Sequence, residues 1–588
     1  MKELIHQLLD DMNSPTSRGA VKSSFVEPGS PFLTRLQELQ MLSRWHALFF
    51  SAVRGYLDGN HAEARARKAF CGFNIVNDEI YYVASGDDFR SLVEAWGCSL
   101  LPQTQAPGSP SSPAQALSCL IEMIRSPQAP GKYSVLQSHV LAMIRGGAES
   151  AGLHRARFLG GAAGNMAYIL GHLGVDTVLH CPYHAEGPNW RELNQDVQYV
   201  TLGESGAQAH PIRQPSPGLP YKTTAGFQIC PGWSVAELGL EALESARALF
   251  VSRQALLPGG GARERVSVVW PGAPDPVSPE QGDAGWPYPQ IVSLVEEDDG
   301  DLRVLAPDRA EMLAALKPLR CSVALLGGLG DVQNPNLLDD IRKNQLIALR
   351  EAGVAVHTEL SGTSDLLFLS EMVRDGRSAL GAQSGTGGGW SVGLNQTDVD
   401  KLVTNDYLSG VVEDPSVVDR NGEDPRPLVR LLKGWDVLKQ LDVDWVYIHG
   451  NDMDLTVWKR STDHTWGPRL RDAMLLAKAA VVAGMIHRIV PPYLWPLIHH
   501  QLQASGLASK GFAALSRFAV DLDRWAAKAG SKAFGANIRD EVLETGITSG
   551  DSFGISVAPV YWPTDVAPFL SATGAGDFTS AVVAAYAW

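Results

Sequence analysis

The sequence lacks most of the features that would place it in a class at once. Its six cysteines (Cys71, Cys98, Cys119, Cys181, Cys230, Cys321) are scattered over 588 residues, with no Cys-x-x-Cys pair and no histidine at zinc-finger spacing. Neither a disulfide framework nor a structural zinc site fits that pattern, and free thiols in a reducing cytoplasm are the expectation. No stretch reaches the ~18 apolar residues of a membrane span. The opening Met1-Lys2-Glu3-Leu4-Ile5-His6-Gln7 has no apolar secretion core. Positive charge is short: 49 Lys and Arg stand against 64 Asp and Glu, a net charge of −15. That balance argues against a nucleic-acid partner, which needs clustered cations. A soluble, cytoplasmic protein without membrane contact is expected.

What is present is ordinary globular material, 45% apolar and 19% charged, so disorder is not the main state. The length predicts two lobes or one large α/β domain with insertions. Apolar spacing predicts a helix over residues 34–67, part of an N-terminal helical segment spanning residues 1–68. Ala69–Ile75 reads as a buried strand. A glycine turn at Gly160-Gly161 feeds an apolar helix that ends near Gly174, and a strand follows at Val175–His180. Residues 257–301, rich in Gly, Pro and acid, read as an insertion with a short strand at Val266–Val269. Beyond it, strands at Val323–Leu326, Val354–His357, Trp390–Leu394 and Trp445–His449 alternate with helical patterns. That alternation predicts a parallel sheet covered on both faces, with ligands beyond the carboxyl ends of its strands.

Two glycine turns carry chemistry. In Ser571-Ala572-Thr573-Gly574-Ala575-Gly576-Asp577 the glycines let backbone N–H groups converge at a helix start, where a phosphate anion is stabilised. Asp577 can accept a hydroxyl proton there, although taken alone it also fits a helix cap. Gly160-Gly161-x-x-Gly164-Asn165 offers N–H groups and an amide to a hydroxylated ligand, or simply small residues for helix packing. His357-x-Glu359 places two polar side chains on one face of a strand. Asn395-Gln396-Thr397-Asp398 sets an amide and a carboxylate on one helical face, or caps that helix.

The paired glycine turns resemble the ribokinase-like superfamily, and within it the ADP-dependent glucokinase and phosphofructokinase family. Further stretches carry the likeness: Phe73-Asn74-Ile75-Val76-Asn77-Asp78, His357-Thr358-Glu359 and Asn395-x-x-Asp398, in the family's order over roughly residues 69–588. The resemblance implies an α/β fold, with a three-layer αβα large domain and a smaller β-rich lid formed by segments near residues 78–100 and 180–235. It implies a sugar kinase with ADP as donor, Mg²⁺ as cofactor and Asp577 as base, assisted by the N–H groups of Gly574, Ala575 and Gly576. Asn74, Asp78, Gly160, Gly161 and Asn165 would hold the sugar, and His357 and Asn395 the nucleotide. Glu359, Asn395 and Asp398 would position the metal. The family's lid glutamate is Gln228 here. Its phosphate-binding arginine aligns with Ala248–Val251, so that Arg247 and Arg253 are the nearest replacements. A hexose such as glucose is the expected acceptor. Fructose 6-phosphate, an ATP donor, and a catalytically weakened sugar- or nucleotide-binding protein are the alternatives.

Overall fold

The structure is a computed structural model. It describes residues 35–58, 68–73, 76–83, 86–97, 138–180, 197–203, 206–211, 222–229, 247–254, 263–269, 291–292, 309–327, 341–360, 389–395, 426–450, 453–460, 466–489, 509–528, 537–559 and 575–588, together with Lys2, Ile5, His6, Leu9, Ser112, Ala114, Leu329, Asp339, Arg374 and Val399. In chain order the first elements are α1 (Arg35–Leu57), β1 (Lys68–Phe73), β2 (Val76–Val83), α2 (Gly86–Ala95), α3 (Ser138–Ser150), β3 (His154–Gly160), α4 (Gly161–Leu173) and β4 (Asp176–His180). Next come β5 (Val197–Gly203), β6 (Gly206–Pro211), β7 (Lys222–Ile229), β8 (Arg247–Gln254), β9 (Arg263–Val269), β10 (Ile291–Val292), α5 (Arg309–Leu319) and β11 (Val323–Gly327). The remainder are α6 (Ile347–Glu351), β12 (Ala355–Leu360), β13 (Trp390–Asn395), α7 (Arg426–Leu441), β14 (Trp445–His449), β15 (Met453–Lys459), α8 (Trp466–Ile489), α9 (Ser509–Lys528), α10 (Ile538–Thr545), β16 (Ile547–Ser549), β17 (Phe553–Pro559) and α11 (Ala575–Ala587).

These strands form two sheets. The larger has eleven strands in the order β16-β17-β15-β14-β13-β12-β11-β1-β4-β5-β6. Its run from β5 to β14 is parallel throughout, and antiparallel strands close both edges. Every residue of β11 and β12 is buried, so the centre of the sheet is covered on both faces, as the continuous apolar run of β11 requires. The chain runs outward from β1 in both directions, to β4 on one side and β11 on the other. Such a switch in strand order opens a crevice at the carboxyl ends of the strands.

The smaller sheet has six strands in the order β10-β9-β8-β7-β2-β3. The chain passes between the sheets twice near one point. It leaves the large sheet after Phe73 and joins the small one at Val76, which pairs with Gly160, the last residue of β3. The next residue, Gly161, opens α4, a helix packed on β1 and β4. Both glycines of the first motif therefore lie where the two sheets meet.

Several boundaries differ from expectation. The first long helix stops at Leu57. The segment 180–235, expected in the lid, is split: β5 and β6 extend the large sheet, and β7 belongs to the small one. The short strand expected at Val266–Val269 is longer, β9 pairing with β8 over its whole length, and β10 pairs with β9. Before β12 the chain forms a π-helical turn over Ile341–Leu346 that continues as α6. Of the helix expected to open at Asn395-Gln396-Thr397-Asp398, residues 396–398 lie outside the described residues and Val399 is helical. Among the described residues no helix is long and apolar enough to cross a membrane.

Candidate active site

α11 opens at Ala575, and its Phe578-Thr579-Ser580-Ala581-Val582-Val583-Ala584-Ala585 is buried on all sides. A helix apolar around its whole circumference must be enclosed, and α11 packs against α4 and α8. Asp577 lies in its first turn, half-buried. The second glycine helix comes to meet it: Asn165 Nδ2 donates to Asp577 Oδ2 at 2.8 Å. Gly161, at φ 76°, takes a left-handed conformation that suits a residue without a side chain, and so lets α4 start directly after β3. Asn165, expected at the sugar, is 6% exposed and also accepts a hydrogen bond from Arg488 Nη1 at 2.5 Å. Its amide is thus engaged by protein at both ends.

The His-x-Glu pair lies on β12. Alternation puts both side chains on one face, with His357 Nε2 3.8 Å from Glu359 Oε2. His357 is wholly buried, stacked on Trp445 at 5.2 Å, with Nδ1 3.0 Å from Ser391 Oγ. It has no surface to offer a nucleotide, which corrects its expected role: it lies under Glu359. Burial pushes its pKa below the ordinary value, and Glu359 offsets this only in part.

Glu359 is 2% exposed, and both carboxylate oxygens are engaged. His449 Nε2 lies 2.8 Å from Oε1, and Ser580 Oγ of α11 donates to Oε2. Burial alone would raise the Glu359 pKa. The charge of His449 and the hydrogen bonds of His357 and His449 outweigh it and bring the carboxyl down to about 2. For His449 burial works against the charge, but Glu359 prevails and raises its pKa above the ordinary value. The pair joins a carboxylate held ionised to an imidazole whose protonated form it favours, and that imidazole faces α11: a Cβ added at Gly576 would lie 2.8 Å from His449 Cε1. Gly576 therefore allows the imidazole to reach the turn that carries Asp577.

Register explains the convergence. Glu359 pairs with Gly393 and Asn395 pairs with His449, so three neighbouring parallel strands bring Glu359, Asn395 and His449 to their carboxyl ends. A Cβ on Gly393 would lie 1.9 Å from Glu359 Oε2, 2.8 Å from Ser580 Oγ and 2.9 Å from His357 Nε2. Beyond His449, the wholly buried Asp454 accepts from Tyr447 Oη at 2.7 Å, Lys478 Nζ at 2.6 Å and the Gly450 N–H at 3.0 Å. Burial, then Asp454, pushes the Tyr447 hydroxyl well above its ordinary range, so it stays a donor. This buried cluster pins the chain where it leaves β14.

The remaining expected residues divide as follows. Asp78 lies in β2, its backbone paired with Phe158 and Thr224. Arg247 and Arg253 lie at opposite ends of β8, and Gln228 pairs with Ala248 in the same sheet. Asn395 ends β13 half-buried. Asn74, Asp398 and Gly574 lie outside the described residues. Among the described residues no three His, Cys, Asp or Glu side chains converge as metal ligands would. With both oxygens already accepting, Glu359 fits a water-mediated role toward a cation rather than direct coordination. Gly393, His449, Lys478 and Arg488 did not emerge from the motifs.

The fold has known counterparts: its architecture is that of solved ADP-dependent phosphofructokinases and kinases. The chain superposes on the last common ancestor of ADP-dependent phosphofructokinases from Methanosarcinales with a TM-score of 0.57 at 13% identity, covering 93% of this chain and 99% of that one. It matches an ADP-dependent kinase complex with fructose-6-phosphate and ADPβS at a TM-score of 0.56 and 14% identity, over 93% and 98% of the two chains. A hypothetical ADP-dependent phosphofructokinase from Pyrococcus horikoshii OT3 matches at 0.54 and 14% identity, over 89% and 98%. No family model matches the sequence. No curated protein matches it.

Proposed function

We propose that this chain is a sugar kinase that transfers the terminal phosphoryl group of ADP to a hexose hydroxyl. One observation carries the reading. Asp577, in the first turn of α11, is joined to Asn165 of the other glycine helix at 2.8 Å, while the Glu359–His449 pair lies against Gly576. A proton acceptor, a helix N-terminus and a half-buried imidazole whose protonated form Glu359 favours thus share one corner at the carboxyl ends of the parallel strands.

In the proposed reaction Asp577 takes the proton from the sugar hydroxyl as its oxygen forms a bond to the terminal phosphorus. The bond from that phosphorus to the bridging oxygen breaks, and AMP leaves. The N–H groups of Gly574, Ala575 and Gly576 receive the charge that develops on the phosphoryl oxygens. His449, kept positive by Glu359, adds a cation beside the same turn, and Arg247 or Arg253 of the small sheet would add another. A divalent cation bound with the nucleotide would neutralise phosphate charge, with Asn395 and Asp398 as its proposed holders and Glu359 acting through water. Asn74, Asp78, Gly160 and Gly161, at or next to the junction of the sheets, would hold the sugar. The small sheet would serve as a lid that excludes water on closing.

The motif segments carry no cluster of Lys or Arg, which favours a neutral hexose such as glucose. Fructose 6-phosphate is the second reading, favoured by the fold neighbour solved in complex with it. Incubating the purified chain with ADP or ATP and each acceptor, with AMP and sugar phosphate separated by chromatography, tests both. AMP from ADP with glucose supports the first reading, AMP only with fructose 6-phosphate the second, and turnover with ATP alone overturns the donor assignment.

A further inference from the structure

We infer that Arg488 is a positioning residue for the base, acting through the Asn165 amide. This rests on the reading of Asp577 as base. Arg488 lies in the last turn of α8, only 8% exposed, among the side chains of the two glycine-opened helices. Its guanidinium stacks on Tyr168 of α4 at 4.6 Å and on Phe578 of α11 at 5.6 Å, and those two rings stack on each other at 5.7 Å. Tyr168 follows Asn165 by three residues on the same face of α4, and Phe578 directly follows Asp577. Tyr168 is tethered in turn by its hydroxyl, 2.6 Å from His487 Nδ1. The helices that supply the amide and the carboxylate therefore also grip the guanidinium.

Hydrogen-bond chemistry gives this packing a direction. A guanidinium only donates and an ionised carboxylate only accepts, whereas a primary amide does one at each end. With Arg488 Nη1 2.5 Å from Asn165 Oδ1, the amide nitrogen is turned toward Asp577, where it donates at 2.8 Å. Flipping the amide would oppose donor to donor at Arg488 and acceptor to acceptor at Asp577. Arg488 thereby fixes the Asn165 flip, and Asn165 fixes the Asp577 carboxylate in its proton-accepting form. No contact between Arg488 and substrate is required.

The test combines kinetics with crystal structures of R488M and R488K. Losing the positioning of the base is expected to lower kcat roughly 10- to 100-fold in R488M while the KM of both substrates moves less than about threefold. N165A is expected to show a similar loss, and the double variant to be no worse than the poorer single one. R488K, which keeps a cationic donor, recovers part of the activity. In crystals of R488M the Asn165–Asp577 hydrogen bond is lost or the amide turns, whereas R488K retains it. An unchanged kcat in R488M, independent losses in the double variant, or an Asn165–Asp577 contact intact in R488M would each overturn the relay. If the wild-type chain transfers no phosphoryl group, the proposed function fails, and the R488M crystal structure still decides whether Arg488 orients the amide.

Discussion

Replacing Gly393 by alanine adds one methyl group at the most crowded point of the site. The backbone is ordinary extended strand, so the obstacle is space alone. The new Cβ would lie 1.9 Å from Glu359 Oε2, inside any contact distance, and under 3 Å from Ser580 Oγ and His357 Nε2. The carboxylate has nowhere to go, because His449 and Ser580 hold its two oxygens. Either it leaves His449, and separating a buried ion pair costs about 3–5 kcal/mol, or β13 shifts, and overpacking costs about 1–3 kcal/mol. The cheaper route sets the cost, so urea unfolding followed by tryptophan fluorescence is expected to show a loss of about 1–3 kcal/mol in G393A. In an E359A background the closest clash is gone and only Ser580 Oγ and His357 Nε2 remain within 3 Å, so the same methyl should cost less than in wild type by about 1 kcal/mol or more, a coupling typical of touching residues. G393A unfolding like wild type, or costing as much without Glu359 as with it, would refute the packing described.

Two further outcomes follow from the same pair. Glu359 is held at about 2 against an ordinary 4.5, so its stabilisation is complete above pH 4.5 and is lost as pH falls from there toward about 2. His357, depressed below 6.5, likewise stabilises fully above 6.5 and loses that contribution as pH falls. His449, raised above 6.5, contributes fully below 6.5 and loses its share as pH rises through its folded value. Urea midpoints measured against pH should show both limbs, with the most acidic one absent from E359Q. Replacing His449 by asparagine removes the cation beside Gly576 and should lower kcat roughly 10²-fold with little change in sugar KM, read in steady-state assays.

Much of the large sheet was legible because its central strands are short apolar runs. Val323–Leu326, Trp390–Leu394 and Trp445–His449 are each recovered within a residue or two. The helices behind the two glycine motifs were legible for a different reason, since glycine before an apolar run is a local signal. The small sheet was harder. Arg263-Glu264-Arg265-Val266-Ser267-Val268-Val269 is half polar and flanked by Gly- and Pro-rich chain, so only its apolar end reads as strand. Its pairing with β8 is a tertiary fact that periodicity does not carry. The same holds for the site residues that were missed. His449 ends a strand with no pattern around it, and Arg488 is 323 positions from the amide it contacts. Gly393 reads as a minor interruption of an apolar run until the register sets it opposite Glu359. A signal for His449 was available: a polar residue at the carboxyl end of a parallel strand, one position before glycine.

The most direct measurement is AMP formation from ADP by the wild-type chain and by Asp577→Asn, with glucose and with fructose 6-phosphate as acceptors. Phosphorylated sugar and AMP should appear in equal amounts with the wild-type chain. The asparagine variant should still bind nucleotide but turn over roughly 10³-fold more slowly, as expected for loss of a general base. Near-full turnover by Asp577→Asn, or no phosphoryl transfer from ADP to either sugar by the folded wild-type protein, would contradict it.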